Sequence, residues 1–151
     1  LLIASIPSTN TLQELEKCMQ LADIELYNGI YKRFNKSISV DKINSLLKKN
    51  NFKIPIIEVD VLKLKYKKFS NLLKDIRNIG ASYIFADRRK IFDNKNYFKK
   101  VEEIYWKNFS KNNEMFLNLE IVYFSAWKED ISQQKPLKPG QAKNSLKDFL
   151  K

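Results

Sequence analysis

The sequence predicts an α/β domain built around a small sheet. Three observations lead there. Apolar stretches of strand character occur at Leu1–Ile6, Ile54–Tyr66 and Leu117–Trp127. Helix-period segments separate them in the order strand, helix, helix, strand, helix, helix, strand. Apolar residues make up 44% of 151, enough for one packed domain.

The stretch Leu117–Trp127 organises the rest. Only Glu120 interrupts it, and Ile121, Val122, Tyr123 and Phe124 are good strand formers. It reads as a strand buried on both faces in the middle of a sheet. Its backbone groups then need a neighbour on each side, and the other two strand segments are the only candidates. The simplest arrangement places the last strand between them.

Leu1–Ile6 ends at Pro7-Ser8. Thr11-Leu12-Gln13-Glu14 reads as a capping box, which by itself accounts for Glu14. Leu12, Leu15, Met19 and Ala22 follow at helical spacing, with Cys18 and Leu26 on the flank, and Asn28-Gly29 closes the helix. A basic loop covers Tyr31–Ser37. Ser39 caps a second helix whose apolar face is Val40, Ile43, Leu46 and Leu47.

In Ile54–Tyr66 the alternation slips by one at Val61-Leu62, which predicts a bulge there. Lys68–Ile79 reads as a helix with Phe69, Leu72, Leu73, Ile76 and Ile79 inward, closed by Gly80. Ala81–Ile91 is irregular. Asp93 caps a helix over Asn94–Phe109 with Phe98, Val101, Ile104, Tyr105 and Phe109 as its apolar side. Trp106 and Trp127 read as core. The sequence divides into a domain over 1–131 and an extended, Pro-containing tail over 132–151, whose Asn144–Lys151 is at most a frayed helical turn.

Composition removes several classes of function. The single Cys18 excludes an internal disulfide, and the lack of His excludes the Ser–His and Cys–His nucleophile pairs and leaves no zinc cluster. No apolar run reaches the length of a membrane span, and no signal segment is present, so the cytoplasm is the default location. The net charge of +11 comes from scattered lysines, which read as solvated surface rather than a nucleic-acid footprint. Three strands are few for four helices, and the chain opens inside a strand. Both observations predict further sheet upstream.

Resemblance carries the reading further. TLQEL at Thr11–Leu15, LADIELYNG at Leu21–Gly29, LLKKNNF at Leu46–Phe52, VDVLKLKY at Val59–Tyr66, DIRNIG at Asp75–Gly80, the Arg88 beyond it, and SQQKPLKPG at Ser132–Gly140 occur together, in this order, in one group. The chain resembles the C-terminal half of class I S-adenosylmethionine-dependent methyltransferase-fold proteins. Within them it is most similar to bacterial relatives of mitochondrial complex I assembly factor 5, an arginine hydroxylase, and more distantly to malonyl-acyl-carrier-protein O-methyltransferase. Lys32, Lys36, Asn118 and Ala126 depart from the group's pattern. The resemblance implies a Rossmann-like sheet in which Leu1–Ile6, Leu117–Trp127 and Ile54–Tyr66 are strands five, seven and six, with strand seven antiparallel in the middle.

The resemblance also implies a division of labour. The Gly-rich loop and acidic ribose-binding residue of this fold fall upstream of this sequence, so S-adenosylmethionine is expected on a complementary N-terminal half or chain. This half is expected to wall the substrate beyond the carboxyl ends of its parallel strands, at Pro7–Asn10, near Tyr66 and around Met115–Phe116. The substrate that the resemblance implies is an acyl group or a protein, a complex I subunit among them. Arg88 leads the candidate substrate-binding residues, because a guanidinium forks onto a carboxylate and the residue matches an Arg in both relatives. Arg33 could do the same from its loop. Tyr66 could hydrogen-bond substrate from the end of its strand, and Glu25 could meet it from the end of its helix. Each has a plainer reading, respectively a structural ion pair, an exposed Arg, core packing and a solvated carboxylate. The alternative to an enzyme half is a non-catalytic fragment acting as an assembly or interaction module.

Overall fold

The computed structural model describes residues 1–35, 37–81, 83, 84, 86, 93, 95–131 and 133. The tail beyond Gln133 and Arg88 lie outside the described residues. Among the described residues the elements run β1 (Leu2–Pro7), α1 (Gln13–Tyr27), α2 (Val40–Lys49), β2 (Phe52–Tyr66), α3 (Phe69–Asn78), α4 (Tyr97–Asn108), β3 (Ser110–Lys111) and β4 (Glu114–Lys128).

Strand β4 lies between β1 and β2 and is antiparallel to both. This is the arrangement expected from its apolar run, and the α/β architecture is that of the Rossmann-like half-sheet with strands five, seven and six. Two apolar clusters sit on opposite faces of the sheet. Met115 and Leu117 of β4 join Leu12, Leu15, Cys18, Phe69, Leu72, Val101 and Tyr105 in the larger cluster under α1, α3 and α4. Val122 and Ala126, of the opposite parity, pack on Ile43 and Leu47 of α2. Strand β4 is therefore covered on one face at its start and on the other at its end. The expectation of burial on both faces is corrected accordingly: Tyr123 and Trp127 are 42% and 48% exposed, and Trp127 is not core.

Helix ends follow local chemistry in part. Ser39 Oγ accepts from the Lys42 amide at the start of α2. Asn28 takes the left-handed conformation after α1, the site expected to end that helix. After α3, Gly80 (φ 72°) donates to Arg77 O at 3.0 Å and Ala81 donates to Ile76 O at 3.2 Å, a complete Schellman closure.

Four expectations fail here for physical reasons. Thr11 and Glu14 do not form a capping box, because both are bonded to β4, as described below. Asp93 does not cap α4; its carboxylate faces Arg33, and α4 starts after Asn96. The register with β4 runs unbroken through Val61-Leu62, and the irregularity lies between Lys53 and Ile56, where Ile54 has φ 52°. The change of parity in β2 reflects the switch of the buried face rather than an extra residue. Ile79 and Phe98 point outward at 58% and 40% exposure, while Tyr97, one position earlier, is fully buried. A short hairpin also went unread: β3 pairs with the start of β4 through Asn112-Asn113, both at positive φ as a two-residue turn of this type requires.

Candidate functional site

The site is created by unequal strand lengths. Strand β1 stops at Pro7, opposite Ile121, while β2 continues until Tyr66 meets Met115. The β2–β4 ribbon thus projects about 20 Å beyond the end of β1 at ordinary strand rise. Along that projection β4 would have an unpaired edge; β3 takes it at Glu114 and Met115, and residues 8–12 fill it at Asn118 and Glu120.

They do so as a substitute strand. The Ser8 amide donates to Glu120 O at 3.0 Å and the Leu12 amide to Asn118 O at 3.0 Å. Thr11 Oγ1 donates to Glu120 O at 2.7 Å and accepts from the Glu120 amide at 3.0 Å. The Glu120 carboxylate accepts from the Ser8 hydroxyl and, at 3.1 Å on each oxygen, from Asn10 Nδ2. Asn118 is held by Glu14, which accepts from its side-chain amide and from its backbone amide. Leu12 adopts φ 62°, unfavourable by about 1 kcal/mol for a residue with a Cβ. Its bonded amide and its buried side chain hold it there.

Beyond this stitched segment lies a cleft of about 700 Å³. Ile6, Pro7, Thr9 and Thr11 form one side, Phe34, Asn35, Ser37 and Ile38 the second, and Ile79, Gly80 and Ala81 the third. Glu16 of α1 supplies a carboxylate to its lining. The cleft occupies the carboxyl end of β1, the side of an open α/β sheet where ligands bind. A smaller cavity of about 270 Å³ shares Leu12 and Ile79 and is lined by Leu64, Tyr66 and Asp75. Tyr66 donates its hydroxyl to Asp75 at 3.0 Å, and burial first, then that bond, pushes its pKa up to about 12.

The second wall of the cleft is anchored by Arg33. Asp23, fully buried in α1, accepts from Arg33 Nη2 at 2.6 Å and from Nε, and also from the Tyr31 amide. Asp93 accepts from Nη1 and Nη2, each at 2.9 Å. The guanidinium lies 4.1 Å from the centre of the Tyr97 ring. Burial works against the charge, but the bonds to Asp93 and Asp23 outweigh it and raise the pKa above an ordinary arginine's. Arg33 therefore fixes the loop that carries Phe34 and Asn35.

The other candidate residues are placed as follows. Glu25 is on the last turn of α1 and bonds Lys100 of α4 at 2.6 Å, away from the cleft lining. Tyr66 lines the smaller cavity. Arg88 is outside the described residues. Sequence reasoning missed Ser8, Asn10, Thr11, Asn118 and Glu120 as a network. The available signals were the lone charge in the β4 run and the polar cluster Ser8–Thr11.

No protein-family model matches this chain. Over 149 residues it is 28% identical to a mitochondrial arginine-hydroxylase NDUFAF5 of Dictyostelium discoideum, an alignment that covers 97% of this chain and 34% of that protein. The same protein of Danio rerio is 25% identical over 150 residues, covering 99% and 46%. A malonyl-[acyl-carrier protein] O-methyltransferase of a Methylovorus species is 22% identical over 128 residues, covering 85% and 41%. The chain is similar to these two groups of proteins. It spans between a third and a half of their length. Both resemblances expected from the motifs are thereby found, and the Rossmann-like half-sheet agrees with them.

The described residues do not form a cradle for S-adenosylmethionine. Such a cradle needs a glycine turn between a strand and the helix after it, so that backbone can approach the ligand. Gly29 follows α1 and Gly80 follows α3; neither sits between a strand and a helix. Among the described residues no group of His, Cys, Asp and Glu could hold a metal ion, and no helix is long and apolar enough to cross a membrane.

Proposed function

We propose that this chain is the acceptor-binding half of an S-adenosylmethionine-dependent methyltransferase-fold protein. The observation that carries this reading is the 700 Å³ cleft beyond the carboxyl end of β1, in a sheet whose strand order is β1-β4-β2. In this reading the cofactor is held by chain outside this sequence, and no chemical step is assigned to the residues present. Their share is positioning, which in group transfer supplies much of the rate.

The acceptor is an acyl group or a protein side chain, in keeping with the names of the relatives. The cleft suits both through the apolar surfaces of Phe34, Ile38 and Ile79 and the neutral hydrogen-bonding groups of Thr9, Asn35 and Ser37. Arg33 acts by fixing the Phe34 wall. Arg88 pairs with a carboxylate of the acceptor, and Tyr66, its hydroxyl hydrogen engaged with Asp75, offers its oxygen lone pairs to a donor in the smaller cavity. Glu25 is reached only by an acceptor of protein size. A complex I subunit is the protein acceptor this reading favours.

Calorimetric titration of S-adenosylmethionine into the chain tests the division of labour. The expected result is no measurable saturation. Tight, saturable binding by this chain alone would place a cofactor site here and refute the reading.

A further inference from the structure

The smaller cavity is an alcove of the cleft. It shares Leu12 and Ile79 with the cleft and holds about 270 Å³. Its floor is one face of the β2–β4 ribbon. Register sets Leu64 opposite Leu117 and Tyr66 opposite Met115, and Leu119 has the same parity. Ile76 of α3, and Ile79 at the end of that helix, form the facing wall. Leu12 bonds the edge of β4 opposite to β2. From Leu12 to Tyr66 the alcove therefore crosses two strand spacings, about 10 Å. An apolar cavity of about 150 Å³ takes up benzene, so this one has room for a six-carbon chain.

The far end is polar and acidic. Tyr66 donates its hydroxyl to Asp75 Oδ2 at 3.0 Å, and Asp75 Oδ1 accepts no hydrogen bond among the described residues. Asp75 is the one charged residue of the lining. Its neighbours three and four positions away are Asn71, Leu72, Asn78 and Ile79, none of them a cation. Lys74 and Arg77 stand at spacings that face elsewhere, and Asp75 forms no ion pair among the described residues. Asp75 Oδ1 and the Tyr66 oxygen thus remain as acceptors, beside one negative charge, at the end of an apolar passage. The group that answers them is a cationic donor. A guanidinium fork needs both carboxylate oxygens, and Oδ2 already serves Tyr66. An ammonium is compact and turns its donors freely, so it can meet Oδ1 and the Tyr66 oxygen together.

We propose that the alcove is a subsite for a primary alkylammonium group, which enters from the cleft, lays its carbon chain along Leu64, Leu117 and Ile76, and ends at Asp75 and Tyr66. This rests on the acceptor-binding reading above and gives that acceptor an anchoring amine, placed away from the reacting group. A lysine side chain and a free alkylamine share the chemistry.

Methyl resonances of the Ile- and Leu-labelled chain, titrated with n-hexylammonium, n-hexanol, n-hexylguanidinium and a blocked Gly-Lys-Gly peptide, test this. An amine probe is expected to shift Leu64, Ile76, Leu117 and Leu119 saturably. Hexanol is expected to bind about fivefold more weakly than hexylammonium, the share of a partly exposed charge pair. Asp75 is exposed, so Asp75→Asn spares the core. That variant is expected to bind hexylammonium and hexanol alike, with hexanol unchanged from the unaltered chain. Shifts with the peptide assign the amine to a lysine side chain, and shifts with hexylammonium alone assign it to a free alkylamine. No shift of these methyls with either amine overturns the proposal. So does equal affinity for hexanol in the unaltered chain, or tighter binding of hexylguanidinium. The cofactor titration separates the two failures: any of these results without S-adenosylmethionine binding removes the subsite alone, whereas tight S-adenosylmethionine binding removes the reading beneath it.

Discussion

The Thr11 hydroxyl both donates to the Glu120 carbonyl, at 2.7 Å, and accepts from the Glu120 amide, at 3.0 Å. One side chain thus closes both backbone groups of a residue on the unpaired edge of β4. Thr11→Val removes both bonds: the Glu120 amide loses its partner, while the Glu120 carbonyl keeps the bond from the Ser8 amide at 3.0 Å, at a cost of about 1–3 kcal/mol. Thr11→Asp is the discriminating change. A helix cap accepts Asp with little loss, whereas here a carboxylate cannot donate to the Glu120 carbonyl. Urea denaturation is expected to show a fall of about 1–3 kcal/mol for Thr11→Asp and near-native stability for Thr11→Ser.

Arg33 bonds two carboxylates and rests on the Tyr97 ring, and lysine cannot reproduce that fork. Arg33→Lys is expected to lower stability by about 2–4 kcal/mol, because buried Asp23 loses its paired bonds to the guanidinium. Hydrogen exchange should quicken first in residues 30–35, the wall of the cleft. Exchange that quickens instead across α2 would show the clasp is not local.

Alkaline pH should destabilise the protein. Burial, then the bond to Asp75, raises Tyr66 from 10.0 to about 12, and burial raises Cys18 from 9.0 to about 12. A raised folded-state pKa favours the protonated form, so this stability is fully present below the unfolded values and is lost as pH climbs towards 12. Urea midpoints should hold steady up to about pH 8 and fall steadily from there to pH 12. Tyr66→Phe should reduce that fall over its upper part, above pH 10.

Gly80 sits at φ 72° with open space where a Cβ would be. Gly80→Ala therefore costs backbone strain and no clash, about 1 kcal/mol. Its neighbours Ile79 and Ala81 line the cleft, so thermal melting should register the loss while far-ultraviolet dichroism stays unchanged.

Much of the sheet was legible because one signal, the apolar run of β4, constrains its neighbours through backbone hydrogen bonding alone. What sequence could not show is where the buried face switches. In β4 that switch exposes Trp127 and Tyr123, and in β2 it mimics a bulge at Val61-Leu62. The site was less legible. Thr11 and Glu14 satisfy a local capping pattern, yet the edge of β4 competes for both side chains across more than a hundred residues of sequence and wins. Asp93 likewise follows Arg33 rather than its own helix. Local chemistry predicts donors and acceptors well; it does not predict which distant partner takes them.

The central claim is that this chain holds an acceptor between Thr9–Leu12, Phe34–Ile38 and Ile79–Ala81. Amide chemical shifts of the labelled chain, titrated separately with malonyl-acyl-carrier protein and with an arginine-containing peptide, test it most directly. Saturable shifts confined to those three segments, with one of the two probes, are the predicted result. No shifts with either probe, or shifts centred on α2, would contradict it.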